Sequence, residues 1–199
     1  KSTILRILDF GIKYGYCEDK GFRQNVSIPK INNDGKKKRK YKYLEREEVQ
    51  EVYKQLEDMK LYEIKRLCQF QVLTGMRFNE MVALDYVEDI DLENMTIHIH
   101  KNYDFNNNII TTTKTEDDRT IYINDEIKSL IQEQIKVDLA KKMKFNIKRD
   151  NNLLFKQKNG KPILLRVVNR HLKKLDINGK NISSHIFRHT FITMMIENK

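Results

Sequence analysis

Of the 199 residues only two are cysteine and two are proline, and none is tryptophan. Each shortage excludes something. Cys17 and Cys68 lie far apart with no Cys-x-x-Cys spacing, which argues against a disulfide framework or a cysteine metal site. Both are expected to be reduced thiols of a cytosolic protein, the first near a helix end and the second in a core helix. A membrane-spanning helix needs about 20 consecutive apolar residues, and no run approaches that length, so a soluble protein without a membrane partner is expected. Arg6 interrupts Ile4-Leu5 and Ile7-Leu8, and the N-terminus does not read as a signal peptide. There is no internal repeat. Tyrosine is not scarce, but all nine tyrosines precede Arg188, Tyr122 being the last.

What is present is a core and a charge. Hydrophobic residues make up 39 %, enough to bury a core, and the length suits one domain plus a fragment. Lys+Arg 38 against Asp+Glu 28 leaves a formal +10, which favours a polyanionic partner over an acidic small molecule.

Along the chain, residues 2 to 16 place Ile4, Leu5, Leu8, Ile12 and Tyr16 at helical spacing. One amphipathic helix cannot bury its apolar face alone, so residues 1–28 are expected to be the end of a preceding helical domain. Residues 29–43 change character: Pro29, the turn-like Asn32-Asn33-Asp34-Gly35, then Lys36, Lys37, Lys38, Arg39 and Lys40. This basic linker is expected to lie as a strap along a phosphate backbone. From residue 44 helices are expected over Glu45–Leu56, Tyr62–Leu73, Asn79–Leu84, Glu126–Met143, Val167–Leu175 and Ile186–Glu197. Between 95 and 123 the period falls to two. Thr96–His100 reads as a strand, Asn106-Asn107-Asn108 as a turn, Ile109–Thr113 as its partner and Arg119–Ile123 as a third strand. The fold class expected is α+β, mostly helical with a small three-stranded antiparallel sheet.

Three short stretches carry chemistry. In Thr74-Gly75-Met76-Arg77-Phe78-Asn79-Glu80, a glycine corner presents Arg77, whose planar fork matches the non-bridging oxygens of a phosphodiester. Glu80 lies three residues on, where it can hold Arg77, although such a pair is also an ordinary surface motif. Lys114, between Thr113 and Thr115 at the rim of the expected hairpin, can deliver a proton to a leaving oxygen. In Ser184-His185-Ile186-Phe187-Arg188-His189-Thr190, helical spacing puts His185 and Arg188 on one face of a helix start, whose positive end favours an anion. His189 points about 100° away from Arg188 and is a candidate for fastening the helix to the core. His98 and His100 alternate on one strand face without a third ligand in reach, and are read as sheet residues rather than a metal site. Glu88, Asp89 and Asp91 are grouped, but follow a helix end and read as a solvated turn.

Taken together and in this order, over residues 44–199, the stretches resemble the tyrosine recombinase (phage integrase) family, specifically the integrases of prophages and conjugative transposons. The Thr-Gly-x-Arg-x-x-Glu corner, the lysine ahead of Arg119-Thr120-Ile121, and His-x-x-Arg-His opening a late helix match that family's pattern. The two arginines stand 111 residues apart (188 − 77), within its usual range. The resemblance implies site-specific cleavage and rejoining of double-stranded DNA through a 3′-phosphotyrosyl intermediate, for integration or excision of a mobile element. It implies no metal and no cofactor, since arginines neutralise the charge. Arg77 and Arg188 would hold the non-bridging oxygens, Lys114 would be the general acid, and His185 would assist proton transfer or bind the phosphate, with Glu80 and His189 supporting. The implied partners are DNA, further protomers in a tetrameric synapse, and excisionase or DNA-bending proteins, in the bacterial cytoplasm. The family's attacking tyrosine lies downstream of His-x-x-Arg-His, so the chain is expected to be a fragment that holds the phosphate clamp without the nucleophile. A non-catalytic DNA-binding remnant and a type IB topoisomerase-like enzyme are the competing readings, with a metal-dependent nuclease a weaker one.

Overall fold

The computed structural model describes residues 2–18, 21, 43–112, 118–145 and 151–197. The chain divides into two compact units, residues 1–40 and 41–199. In the first, helix α1 (Ser2–Lys13) is followed by a tight reversal in which the Tyr16 and Cys17 N–H groups both donate to the Gly11 carbonyl, at 2.8 and 3.3 Å. A Cβ on Gly11 would sit 2.8 Å from the Cys17 sulfur, so a larger residue there would have to turn that exposed side chain aside. The ring of Phe10 packs on Tyr14 at a centroid distance of 4.5 Å.

The second unit contains the core. Helix α2 (Arg46–Asp58) buries Val49, Val52 and Leu56, one helical face as the spacing predicts. Glu48 reaches back to the Glu45 N–H at 2.8 Å, which satisfies a donor at the helix start, and also binds Lys180 and Asn178 far along the chain. Helix α3 (Tyr62–Thr74) is buried on several sides, through Leu67, Cys68 and Phe70 among others. Burial pushes the Cys68 thiol far up, so this sulfur is a core group and not a reactive one. Arg66 crosses from α3 to Gln134 of α5 (Asp125–Phe145) at 2.8 Å, and Gln134 passes the connection on to the Leu154 carbonyl at 3.1 Å.

Helix α4 is shorter than the sequence predicts, Phe78–Met81 only. The apolar run continues through Val82, Ala83 and Leu84, all buried, but the chain leaves the helix to pair with residues 152–154. Leu154 donates to the Leu84 carbonyl at 2.9 Å and Tyr86 to the Asn152 carbonyl at 2.9 Å. Tertiary pairing therefore ends the helix where local propensity would have extended it.

The three-stranded antiparallel sheet is present, with different membership. Its order is β1 (Ile90–Asp91), β2 (Thr96–Ile99), β5 (Arg119–Tyr122), with Ile97 opposite Ile121 and His98 opposite Thr120. The strand expected to partner Thr96–His100 forms a separate hairpin instead, β3 (Lys101–Asp104) with β4 (Ile109–Thr112). Burial explains the choice. Ile97 and Ile99 are in the core and Ile121 is half-buried, whereas Ile109 and Ile110 of β4 stay exposed. The Asn-rich turn is where the sequence placed it, with the Asp104 carboxylate accepting from the Asn106 N–H at 2.8 Å.

The acidic group ahead of β2 is a corrected expectation. Asp89 is buried, not solvated: it accepts from the Asp85 N–H at 2.8 Å and from Lys101 at 2.9 Å. Asp91 caps the turn through Glu93 and Asn94, and Glu88 also binds Lys101. These carboxylates hold a turn together. Helices α6 (Leu165–Leu172) and α7 (Ser184–Glu197) complete the unit, and α7 lies chiefly against α3.

Candidate phosphate-binding site

The first part of the site is built by the end of α3. Gly75 adopts φ +62°, the left-handed cap that only glycine takes without cost, and its N–H closes on the Gln71 carbonyl at 2.9 Å. A Cβ at Gly75 would also lie 2.2 to 2.8 Å from ring atoms of Phe191 in α7, so the corner is glycine for space as well as for torsion. Met76 is fully buried and anchors the next residue, Arg77, in an extended conformation at the start of α4.

Glu80 organises the corner. Its side chain is only 2 % exposed, and its carboxylate accepts from the Arg77 N–H at 2.9 Å and the Arg77 guanidinium at 2.9 Å. Arg119, the first residue of β5, grips the same carboxylate with both terminal nitrogens, at 2.7 and 3.2 Å. Burial pushes the Glu80 pKa up, but the bonds from Arg119 and then from Arg77 outweigh it and leave the carboxyl below its ordinary value. A buried carboxylate with four charge-assisted or backbone donors is a rigid anchor for the two guanidiniums, one half exposed and the other a third.

The second part comes from α7. Ser184 opens the helix with its N–H on the Asn169 side chain at 2.8 Å, and the next residue, His185, is exposed. Phe187 is fully buried, and Thr190 accepts from the Leu44 N–H at 2.9 Å while donating to the Ile186 carbonyl, so these two fasten the helix to the core. His189 is half-buried and packs edge-to-face on His185, with centroids 4.4 Å apart. Arg188 reaches back to the Gly75 carbonyl at 2.5 Å, which places it beside the Arg77 corner. Burial, then the neighbouring Arg77 and Arg119 charges, lower the Arg188 pKa, with Glu80 acting against them. A guanidinium still keeps its proton at neutral pH.

The structure therefore brings Arg77, Glu80 and Arg188 together, with His185 at the same helix start. It adds Arg119, which the sequence reading used only as a landmark after Lys114. One carboxylate against three guanidiniums leaves an excess of positive charge suited to a phosphate. The signal for Arg119 was present only as strand alternation, with residues 119 and 121 turned inward and 120 and 122 outward. That alternation also turns Tyr122 away from the cluster. Lys114 and the basic run Lys36 to Lys40 lie outside the described residues. His98 and His100 stack with centroids 4.5 Å apart, and among the described residues no group of three or more histidine, cysteine or acidic side chains is arranged to hold a metal. No helix among them is long and apolar enough to cross a membrane.

Comparison with known proteins gives a consistent pattern. The profile described as the phage integrase family matches residues 42–199. A prophage ps2 probable integrase of Lactococcus lactis subsp. lactis (strain IL1403) is 29 % identical, over 100 % of this chain and 55 % of its own length. Tyrosine recombinase XerA of Saccharolobus solfataricus is also 29 % identical, over 85 % of this chain and 46 % of its own. Among solved structures, the Tn1549 transposon integrase in complex with transposon right end DNA has a TM-score of 0.64 at 23 % identity, covering 78 % of this chain and 53 % of that one. A XerA recombinase crystal structure gives 0.56 at 21 %, covering 78 % and 51 %. The chain spans about half the length of the relatives it matches.

Proposed function

Because the chain belongs to the phage integrase family, we propose that it is the phosphate-binding part of a site-specific DNA recombinase. The observation that carries the reading is the cluster in which Glu80 fixes Arg77 and Arg119 while Arg188 is held against Gly75. Arg77 and Arg188 bind the non-bridging oxygens of the scissile phosphate and stabilise the pentacoordinate transition state. Lys114 protonates the leaving 5′-oxygen, and His185 assists that transfer or binds the phosphate from the helix start. His189 supports His185 by ring contact. In the family's pattern the attacking tyrosine follows His-x-x-Arg-His, a position Tyr122, on the opposite face of β5 from Arg119, does not hold. In this reading the guanidiniums do the work that a metal does in other phosphoryl-transfer enzymes.

The remaining assignments follow the same reading. Residues 1–28 end a core-binding domain, residues 29–43 are the linker, and Lys36, Lys37, Lys38, Arg39 and Lys40 track the DNA backbone. Other protomers complete a tetrameric synapse, with excisionase or DNA-bending proteins as accessory partners, in the bacterial cytoplasm.

The test uses the full-length protein that carries this chain and a suicide half-site DNA without magnesium. A covalent protein–DNA adduct is expected, and Arg188→Ala is expected to slow its formation by at least about 100-fold, the effect of removing a principal oxyanion donor. No adduct with the wild type, or an undiminished rate with Arg188→Ala, overturns the proposal.

A further inference from the structure

Gln71 is a polar side chain in the contact between α3 and α7, and it is 1 % exposed. Both ends of its amide are used. The Ser184 hydroxyl donates to Oε1 at 2.7 Å, and Nε2 donates to the Met76 carbonyl at 3.2 Å. Ser184 is itself 1 % exposed and immediately precedes His185, while Met76 immediately precedes Arg77. One buried amide thus spans from the residue before the first arginine corner to the residue before the second.

We propose that Gln71 is a positioning residue that sets the separation and register of the two anion-binding segments, a role that rests on the recombinase reading of the site. Apolar contacts between helices are non-directional and tolerate small slips, whereas a buried hydrogen-bonded amide admits one arrangement. The second connection between the segments, Arg188 to the Gly75 carbonyl, uses a cation of the clamp itself. That bond engages one terminal nitrogen of a group that must also meet the phosphate, so it is not independent of the ligand. The Ser184–Gln71–Met76 chain involves no group that contacts the phosphate, so it persists through the reaction. Because a misplacement of about 1 Å at a reacting centre can cost about 100-fold in rate, such a spacer acts on the chemical step more than on DNA affinity.

The experiment compares wild type, Gln71→Leu, Ser184→Ala and the double variant Gln71→Leu/Ser184→Ala in the full-length protein. Three quantities are measured: single-turnover formation of the covalent adduct on the suicide half-site at saturating protein, half-site Kd, and Tm. Gln71→Leu removes the spacer and strands the Ser184 hydroxyl, so both Tm and rate are expected to fall. In the double variant the stranded hydroxyl is gone although the Met76 carbonyl still lacks its donor, and Tm is expected to recover in part while the rate stays about 10- to 100-fold below wild type with Kd within about 3-fold. Ser184→Ala leaves the buried Gln71 Oε1 without its donor, so it too is expected to lower both rate and Tm, but it keeps the Gln71–Met76 bond and is the milder variant should the others fold poorly. A rate that recovers together with Tm, a rate loss matched by an equal loss of affinity, or a wild-type rate in both single variants overturns the positioning role. A wild type that forms no adduct overturns the recombinase reading beneath it, so the two failures are distinct.

Discussion

At the scale of single residues, Glu80 matters most. It is buried, and it accepts from the backbone and side chain of Arg77 and from both arms of Arg119. Its pKa in the folded protein is below the ordinary 4.5, so its contribution to stability is fully present above that value and is lost as pH falls through the folded pKa. Glu80→Gln is expected to cost about 1–3 kcal/mol at neutral pH, because it weakens several charge-assisted bonds at once. The gap between the two proteins is expected to narrow below pH 4.5, as the wild-type carboxyl itself takes up a proton. Urea unfolding of both at neutral and acid pH measures this; a gap that widens on acidification would contradict it.

At the scale of elements, the site is the meeting of the α3 corner with the start of α7, and Gly75 is the point of contact. Its left-handed torsion and the Phe191 ring over it are independent demands for glycine. Gly75→Ala is expected to cost about 1–2 kcal/mol for the torsion and about 1–3 kcal/mol for overpacking, since the ring must move. Moving Phe191 shifts α7, and with it the reach of Arg188 to the Gly75 carbonyl. Loss of half-site cleavage together with a lower Tm is therefore expected, measured in the assay used for Arg188→Ala. An alanine variant with wild-type stability would show that α7 does not need to seat closely on the corner.

At the scale of the whole molecule, the formal +10 and the cation excess at the clamp both predict binding to DNA that is dominated by phosphate contacts. The logarithm of the half-site affinity is expected to fall linearly with the logarithm of salt, with a slope of about −0.9 for each phosphate neutralised. Fluorescence anisotropy across a salt series gives that slope directly. A flat response would remove the basic strap and the guanidinium clamp as DNA-binding features.

The helices, the Asn-rich turn and the local structure of the two arginine-bearing segments were legible in sequence, because spacing, glycine caps and turn residues are local signals that act over a few residues. So were Arg77, Glu80, His185 and Arg188 as individual candidates. What sequence could not supply were the choices made by long-range burial. Strand β2 took β5 and β1 as neighbours because Ile97 and Ile99 needed a buried partner that the exposed β4 does not provide. Helix α4 ended early because residues 84–86 pair with residues 152–154. Arg119 joined the corner only because that sheet order carries β5 to Glu80, 39 residues away in sequence. The chain thus determined by itself which residues could bind a phosphate. The tertiary structure decided which of them share one carboxylate and which buried amide holds them at a common distance, because both depend on contacts between segments that no local spacing encodes.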